Sequence, residues 1–532
     1  MSTGRRRFLH ALVATAGAVL VPACGGDGGD RSGTTAGSGT GPGGAPGTGD
    51  AATGTTATTG SPGSTVPVGA DLPAGLDARA VPDTGTIHGW IRQIVEQGIR
   101  RPGYPADEWT ERFVADRLRE AGIDEVRLEP VEVARWELRA ARLEVTPTGG
   151  PPRTLDCFPV PYAAPTTGLA LELVAFDPAQ PDAVAGRAAL VDARVVHLRP
   201  PDALVAAGSV PADLSGRVHD PDGTFEGSEH VLPHTLERRR ILDPAIGAGA
   251  AAFIGALVDY PGGGHEYYVP YDGEPRPVPG VWIAERDGAW LREQLAIGAV
   301  HVELTVDATT TPATSHNVVG ELPGADDETV VVGSHHDGPW ASAVEDASGT
   351  ALVLAQARFW AAQPQERRPH RLVFVLHAGH MCGGAGLDAY LAAHDADLDR
   401  TVLEVHLEHA ALDAVERDGQ LVATERCTPR WFFTSRLAPL EAAVADAIVT
   451  EHLTRSMILA PDALGANPPT DGGAYHRHGV PIVQFLAAPS YLFDPADTLD
   501  KVDTDGLVPL TRATIRIVDA TRGVSATAMR AG

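Results

Sequence analysis

Histidines and carboxylates cluster at three places in this sequence, each at the end of an apolar run. They stand in His335-His336-Asp337, in His377-Ala-Gly379-His380 and in His406-Leu-Glu408-His409. Residues 335–409 hold eight of the protein's 20 histidines, which favours one shared site over separate structural roles. Neutral imidazole and carboxylate are the ligands that zinc and similar divalent ions take. The pattern therefore predicts a metal site, and the alternative is a solvated polar rim.

The apolar runs before these clusters predict the elements that position them. Strands are expected over 329–333, 371–377 and 402–407, and helices over 349–362 and 387–394. Nearly continuous apolar strands are typical of a sheet that helices cover on both faces. In such sheets, ligands bind at the carboxyl ends of the strands. The sequence thus predicts an α/β domain with the metal site at that edge.

Residues 86–123, nearer the N-terminus, carry two helical patterns. The second pattern opens after Pro105, with Asp107 as its expected cap, and a strand follows it. From about residue 140 the sequence pattern changes and predicts short strands and one alanine-rich helix near 246–253. This change predicts a separate module inserted into the α/β domain.

The motif Gly333-Ser-His335-x-Asp337, followed by Glu345-Asp-Ala-Ser348-Gly349, resembles the zinc aminopeptidase and glutamate carboxypeptidase family, metallopeptidase family 28. The resemblance implies a three-layer α/β sandwich with a mixed, mostly parallel sheet, built from residues 66–139 and 309–532. It also implies that His335 binds a metal ion, that Asp337 orients His335 as its outer partner, and that Glu345 bridges two ions.

Residues 140–308 are predicted to form a small β-rich insert. Within it, 247–254, 279–284 and 288–295 resemble the protease-associated domain that some aminopeptidases carry between their first strands. Inserts of this kind shape access to a site and do no chemistry themselves.

Further motifs follow in the order that the family has them. Glu408 stands where the family has a strand-end aspartate ligand. Asp471–Tyr475, with Gly479-Val-Pro481 after it, resembles the segment before the family's last strand, and Asp497-Thr498 resembles its closing motif. Several dispersed motifs in the correct order are more specific than any single one.

Three positions depart from the family in ways that bear on activity. The family's consecutive glutamates, a general base and a metal ligand, fall on Gly379 and His380, and its last histidine ligand falls on Phe493. Glycine cannot take a proton from water, so the general base is missing from its family position. The sequence leaves a replacement open among four histidines, which are His336, His377, His409 and His476.

The residues that remain predict a single ion of zinc or another divalent metal. The expected ligands are His335, Glu345, His380 and Glu408, since two histidines with carboxylate suit catalytic zinc. The resemblance then implies a metallopeptidase-like hydrolase that acts on peptides or small amides. The alternative is a catalytically inactive pseudoenzyme that uses the same fold to bind a ligand or a protein.

The N-terminus predicts export. Residues 1–24 place Arg5–Arg7 before an apolar run and end in Val21-Pro-Ala-Cys24, which resembles a twin-arginine signal with a lipobox whose Cys24 is acylated. The alternative is a plain secretory signal with a chance cysteine. Residues 25–65 are rich in Gly, Thr and Ser and predict a disordered linker.

The net charge of -27 would repel phosphate backbones and anionic headgroups. We therefore expect no nucleic-acid partner, and membrane contact only through the lipid anchor. The expected location is the cell envelope, the periplasm or the exterior.

Overall fold

The structure is a computed structural model that describes residues 71–198, 217–225, 230–232, 238–463, 468–469 and 471–531. The expected signal, its Cys24 and the 25–65 linker lie outside the described residues. Within them, no helix has the length and apolar character needed to cross a bilayer.

The helices arise from local patterns that the sequence shows. In the first, Asp83 caps the N-terminus by accepting from the Thr86 N–H at 2.7 Å, and the apolar face is buried. In chain order, the helices are α1 (Thr84–Val95), α2 (Pro105–Glu120), α3 (Arg238–Gly247), α4 (Glu285–Ile297), α5 (Gly349–Ala361), α6 (Ala385–Ala393), α7 (Asp395–Leu398), α8 (Ala438–Thr450), α9 (Gly472–Arg477), α10 (Leu507–Asp519) and α11 (Ala526–Ala531).

The expectation that Asp107 caps α2 is wrong. Tyr104 occupies the cap position without a side-chain hydrogen bond, and Pro105 begins the helix, as its fixed φ allows. Asp107 lies in the first turn and is buried. Its Oδ1 lies 2.9 Å from Nδ1 of His336, so this carboxylate pairs with a histidine beside the candidate site.

The strands alternate with these helices over most of the chain. They are β1 (Glu125–Pro147), β2 (Arg153–Leu155), β3 (Phe158–Pro159), β4 (Thr166–Ala175), β5 (Ala188–Arg194), β6 (Val196–Leu198), β7 (Val218–His219), β8 (His230–Leu232), β9 (Ala252–Val258), β10 (Gly280–Ala284), β11 (Val300–Leu322), β12 (Thr329–His335), β13 (Arg371–His377), β14 (Thr401–Leu407), β15 (Leu412–Arg417), β16 (Gln420–Cys427), β17 (Arg430–Thr434), β18 (Ser456–Leu459) and β19 (Ile482–Ala487).

One large mixed sheet organises the described chain. Its order is β3-β10-β9-β5-β4-β11-β13-β12-β14-β19-β17-β18-β7, with β1 on β11 and β2 on β1. The four strands β13, β12, β14 and β19 are mutually parallel, so their carboxyl ends share one edge. Two small two-stranded sheets, β15-β16 and β6-β8, stand apart. The predicted α/β class, with a mixed sheet flanked by helices, is confirmed.

The long strands β1 and β11 link the two predicted parts of the chain. They pair antiparallel from Glu125↔Glu321 to Pro147↔Val300, and the expected boundaries at 139/140 and 308/309 fall inside them. The strands β4, β5, β9 and β10 continue the same sheet. The assignment of residues 140–308 to a protease-associated domain stays a prediction.

The prediction of an alanine-rich helix near 246–253 is wrong. Helix α3 ends at Gly247, and β9 begins at Ala252. Every residue of β9 is buried, which explains the error. A fully buried apolar run has no periodicity to separate a strand from a helix.

Candidate metal centre

Five side chains from three strand ends and one turn meet at the carboxyl edge of the parallel strands. His335 ends β12, His380 follows β13, Glu408 and His409 follow β14, and Glu345 lies in the turn before α5. All five are less than one-tenth exposed. We call these five residues the metal cluster. Four of them are the ligands that the sequence predicts, and His409 is among its candidate bases.

The distances within the metal cluster suit an ion. The Nε2 atom of His335 lies 3.5 Å from Oε1 of Glu345. Oε2 of Glu345 contacts Nε2 of His409, which lies 3.8 Å from Oε2 of Glu408. Ligand atoms at zinc bond lengths in a tetrahedral site would lie about 3.4 Å apart. The donor atoms also form two groups that share His335. One contains His335, Glu345 and His380, and the other contains His335, Glu408 and His409; within each group the donor atoms lie within 4.8 Å of one another.

The histidine rings are held with one nitrogen turned away from the cluster. Each Nδ1 atom meets an oxygen acceptor, which fixes a neutral ring in the tautomer whose Nε2 lone pair is available to a metal. The three contacts are His335 Nδ1 to the Asp337 carbonyl (3.0 Å), His380 Nδ1 to Asp471 Oδ1 (2.8 Å) and His409 Nδ1 to the Ala487 carbonyl (2.7 Å).

The inner atoms of the cluster lack hydrogen bonds. Nε2 of His335, Nε2 of His409 and both carboxylate oxygens of Glu345 have no hydrogen-bond partner among the described residues. Buried polar atoms normally have one, so these atoms need another kind of partner. A divalent cation supplies it, and the residues present therefore fit a metal ion.

The negative charges of the carboxylates in the metal cluster also favour binding of a cation. Burial lowers the pKa of His409, but the carboxylates of Glu345 and Glu408 outweigh it and raise that pKa to about 10. Burial drives the pKa of His335 well below its usual value, and the neighbouring His380 lowers it further. The same carboxylates therefore favour a proton on His409, and a metal ion would take the place of that proton.

The Asp337 carboxylate does not hydrogen-bond to His335, the neighbour that the sequence predicted for it. Its Oδ1 lies 3.8 Å from Nδ1 of His335, whose hydrogen bond goes to the Asp337 backbone carbonyl instead. The carboxylate accepts from the backbone N–H groups of His380 (3.1 Å) and Met381 (2.7 Å). Asp337 therefore orients His335 through its main chain and fixes the loop of His380 through its side chain.

A Cβ at Gly379 would first meet residues outside the metal cluster. Its φ is +66°, in the left-handed region that favours glycine. A Cβ placed there would meet Cγ1 of Val133 at 3.1 Å and Cβ of Ala385 at 3.4 Å. A side chain at this position would start against Val133 of β1 and Ala385 of α6, and no residue of the metal cluster is among these nearest contacts.

Phe493, the position where the resemblance implied a histidine ligand, packs against an aromatic ring. Its ring centroid lies 5.0 Å from that of Tyr271, and Tyr271 stacks on His380 at 5.4 Å. The Phe493 carbonyl accepts from Nε1 of Trp340 at 2.9 Å. Aromatic rings, one of them from the predicted insert, therefore cover this side of His380.

Of the four candidate bases, only His409 joins the cluster. His336 pairs with Asp107, and its Nε2 lies 3.0 Å from the His316 carbonyl. His377 lies 3.3 Å from the Tyr475 hydroxyl, and burial lowers its pKa to about 3. His476 is a partly exposed residue of α9.

Two residues near the cluster were not among the predicted ligands. His406 lies two residues before Glu408, and its Nε2 is 3.0 Å from Oε1 of Glu408. Asp471, at the start of α9, holds His380 as described. The strand period of two could have identified His406, because residues i and i+2 share a face. No local spacing could have identified Asp471, which is 91 residues from its partner His380.

Comparisons with known proteins agree with this architecture. A search of curated protein sequences gives no significant match. Among solved structures, the M28 peptidase precursor from Shewanella amazonensis is 21% identical with a TM-score of 0.63, covering 84% of this chain and 95% of that one. The aminopeptidase from Aneurinibacillus sp. is 18% identical (TM-score 0.57; 84% and 94% covered), and the zinc aminopeptidase from Bacillus subtilis is 17% identical (0.57; 84% and 96%).

These structural similarities show the fold. A family model provides a separate comparison, at the level of the sequence. Residues 317–518 match the model of Peptidase family M28. That range contains the whole metal cluster together with Asp337, Asp471 and Asp497. The resemblance to metallopeptidase family 28 that the strand-end motifs predicted is therefore confirmed over residues 317–518.

Proposed function

We propose that the protein is an exported, metal-dependent hydrolase of the aminopeptidase type that acts on peptides or related amides. The observation that carries the proposal is the set of buried Nε2 and carboxylate atoms that face one another without hydrogen bonds, on rings fixed through Nδ1. The match to Peptidase family M28 and the shared fold support a peptidase-type reaction.

The metal cluster would hold the ion through His335, Glu345, His380, Glu408 and His409. When bound, a divalent ion would polarise the carbonyl group of the substrate and lower the pKa of a bound water molecule. Asp471 keeps the proton on Nδ1 of His380, so Nε2 stays available as a lone-pair donor. Tyr271 and Phe493 shield His380 from bulk water, which strengthens the electrostatic interactions of the site.

A pseudoenzyme is the second candidate function, and one observation favours it. The position that aligns with the family's general base is Gly379, and its Cβ direction leads toward Val133. General base catalysis typically contributes about 100-fold to 10,000-fold, so a cluster without a replacement base would bind a metal and turn over very slowly. Metal content and turnover together separate the two functions.

The test measures both quantities on the full chain. We expect bound zinc or a similar ion by elemental analysis, cleavage of aminoacyl or dipeptide substrates, and loss of cleavage after chelation. His335→Ala should lose metal, because it removes a residue common to both ligand groups. His394→Ala is the matched control, since its ring contacts Glu129 at 3.1 Å, outside the cluster.

Three results are informative. Metal with turnover supports the hydrolase, and metal without turnover supports the pseudoenzyme. If His335→Ala and His394→Ala both keep full metal content, the proposed cluster is wrong.

A further inference from the structure

Strand β14 presents a row of ionisable side chains to the interior just below the metal cluster. Glu404 and His406 alternate along it, and Glu408 continues the same period of two directly after the strand ends. All three are at most 1% exposed. His406 Nδ1 meets Oε1 of Glu404 at 2.9 Å, which turns Nε2 toward Glu408.

His406, Glu408 and Asp471 form a second group of donors, which shares only Glu408 with the metal cluster; we call it the lower group. Their donor atoms lie within 4.8 Å of one another. Nε2 of His406 is 3.0 Å from Oε1 of Glu408 but makes no aligned hydrogen bond. Asp471 accepts from His380 through Oδ1, whereas its Oδ2 has no hydrogen-bond partner among the described residues. Close approach without donor–acceptor alignment is what two ligands of one ion show.

Glu408 lies between the lower group and the metal cluster. Its Oε1 is the atom near His406, and its Oε2 is the atom 3.8 Å from Nε2 of His409. One oxygen of the carboxylate therefore faces each group. A carboxylate in this position can join two ions at the spacing of about 3.5–4 Å found in two-metal sites.

The balance of buried charge favours more than one cation. Seven buried carboxylates belong to the two groups or lie beside them: Asp337, Glu345, Asp346, Glu404, Glu408, Asp471 and Asp497. The Arg100 guanidinium beside them offsets one charge, and one divalent ion offsets two. Uncompensated buried charges are costly, and a second divalent ion would offset two more of these negative charges.

We propose that a second divalent ion binds Nε2 of His406, Oε1 of Glu408 and Oδ2 of Asp471, with Glu408 shared between two ions. Imidazole with carboxylates suits zinc and similar ions. This proposed site does not involve position 493, where the resemblance implies the family's last histidine ligand and where this chain has phenylalanine. The inference rests on the proposed metal-dependent function, because the two sites share Glu408.

The competing arrangement is a protonated His406 held between Glu404 and Glu408. Burial lowers the pKa of His406, but these two carboxylates raise it well above its usual value. In that arrangement the lower group carries a proton, and the protein binds a single ion. The number of ions per chain therefore distinguishes the two.

The experiment counts ions on the full chain after saturation with zinc and removal of the excess. We expect two ions per chain in the wild type and one in His406→Gln. His377→Gln is the control, because His377 is an equally buried neighbour on β13 that belongs to no donor group. Titration of the metal-free protein with cobalt(II) gives a second readout, in which we expect two spectral steps and loss of one in Asp471→Asn.

The stoichiometry also separates this inference from the proposed function. One ion in the wild type, unchanged in His406→Gln and with a single cobalt step, overturns the second site and leaves the metal-dependent function intact. No bound ion overturns both. If His406→Gln does not fold, the cobalt titration of wild type and Asp471→Asn decides alone.

Discussion

Each histidine of the metal cluster is oriented by the atom that its Nδ1 meets. His335 and His409 use backbone carbonyls, and His380 uses a carboxylate. A carboxylate behind the ring raises the basicity of the ligand more than a carbonyl does, because it carries a full negative charge. His380, at the position where the resemblance implied a glutamate, is thus the histidine with the strongest electrostatic support.

Restoring the family's glutamate at residue 379 should not restore a base. A non-glycine residue in the left-handed region costs about 1–2 kcal/mol, and the Cβ of Gly379→Glu would also press on Val133 and Ala385. We expect a lower midpoint of thermal unfolding and no gain in hydrolysis.

Gly384→Glu is the matched control for that variant. Gly384 has a φ of +74° but open space around its Cβ, so it reports the backbone cost alone. A rise in the rate of hydrolysis in Gly379→Glu would contradict the expectation that a side chain at this position is held against Val133 and Ala385.

At the scale of elements, the loop between β12 and α5 is held from two distant parts of the chain. Arg100, before α2, donates to the carbonyls of His336 (3.3 Å) and Ser342 (2.8 Å). Asp497, before α10, accepts from the N–H groups of Val344 (2.8 Å) and Glu345 (2.9 Å). These contacts place the Glu345 carboxylate opposite His335.

Asp497→Asn should weaken metal binding without removing a ligand. The amide has a single oxygen, so one of the two N–H groups loses its acceptor, at a cost of about 1–3 kcal/mol. Loss of such outer support typically lowers metal affinity about 10-fold to 100-fold. We expect both effects, measured by chelator competition and by thermal unfolding of the metal-free protein.

Asp500→Asn provides the comparison for Asp497→Asn. Asp500 belongs to the same Asp-Thr-Leu-Asp motif, but it is exposed and contacts only Thr498 and Lys501 in the described structure. Equal metal affinity in the two variants would mean that Asp497 does not position Glu345.

At the scale of the whole molecule, the predicted insert reaches the metal centre through one of its loops. The Tyr271 carbonyl accepts from Gly383 N–H at 2.9 Å, and Tyr268 N–H donates to the Phe493 carbonyl at 3.1 Å. The Tyr260 hydroxyl donates to Asp494 at 2.8 Å. The insert is therefore fastened to two segments that border His380.

Export is a prediction about the whole chain that rests on its N-terminus. We expect the mature protein to fractionate with membranes, because an acylated Cys24 would anchor it. Cys24→Ala should release the protein to the soluble fraction or block processing, as cell fractionation and intact mass will show. Equal membrane association of wild type and variant would argue for a plain secretory signal.

The sequence by itself determined the edge of the sheet at which the candidate metal ligands meet, and it identified most of those residues. Strand ends are local features, and the parallel strands of an α/β sheet bring their carboxyl ends together whatever the loops do. His335, Glu345, His380 and Glu408 were therefore predictable from their positions after apolar runs or at a helix start.

Only the tertiary structure decided where each of these side chains points and what supports it. Asp337 turns its carboxylate to the loop of His380, Gly379 faces Val133, and Asp471 reaches His380 across 91 residues. Such orientations depend on backbone dihedrals and hydrogen-bond partners that distant segments impose, as Arg100 and Asp497 impose them on the loop of Glu345. Spacing along the chain fixes which residues can meet, but the packing of remote segments fixes the direction in which they meet.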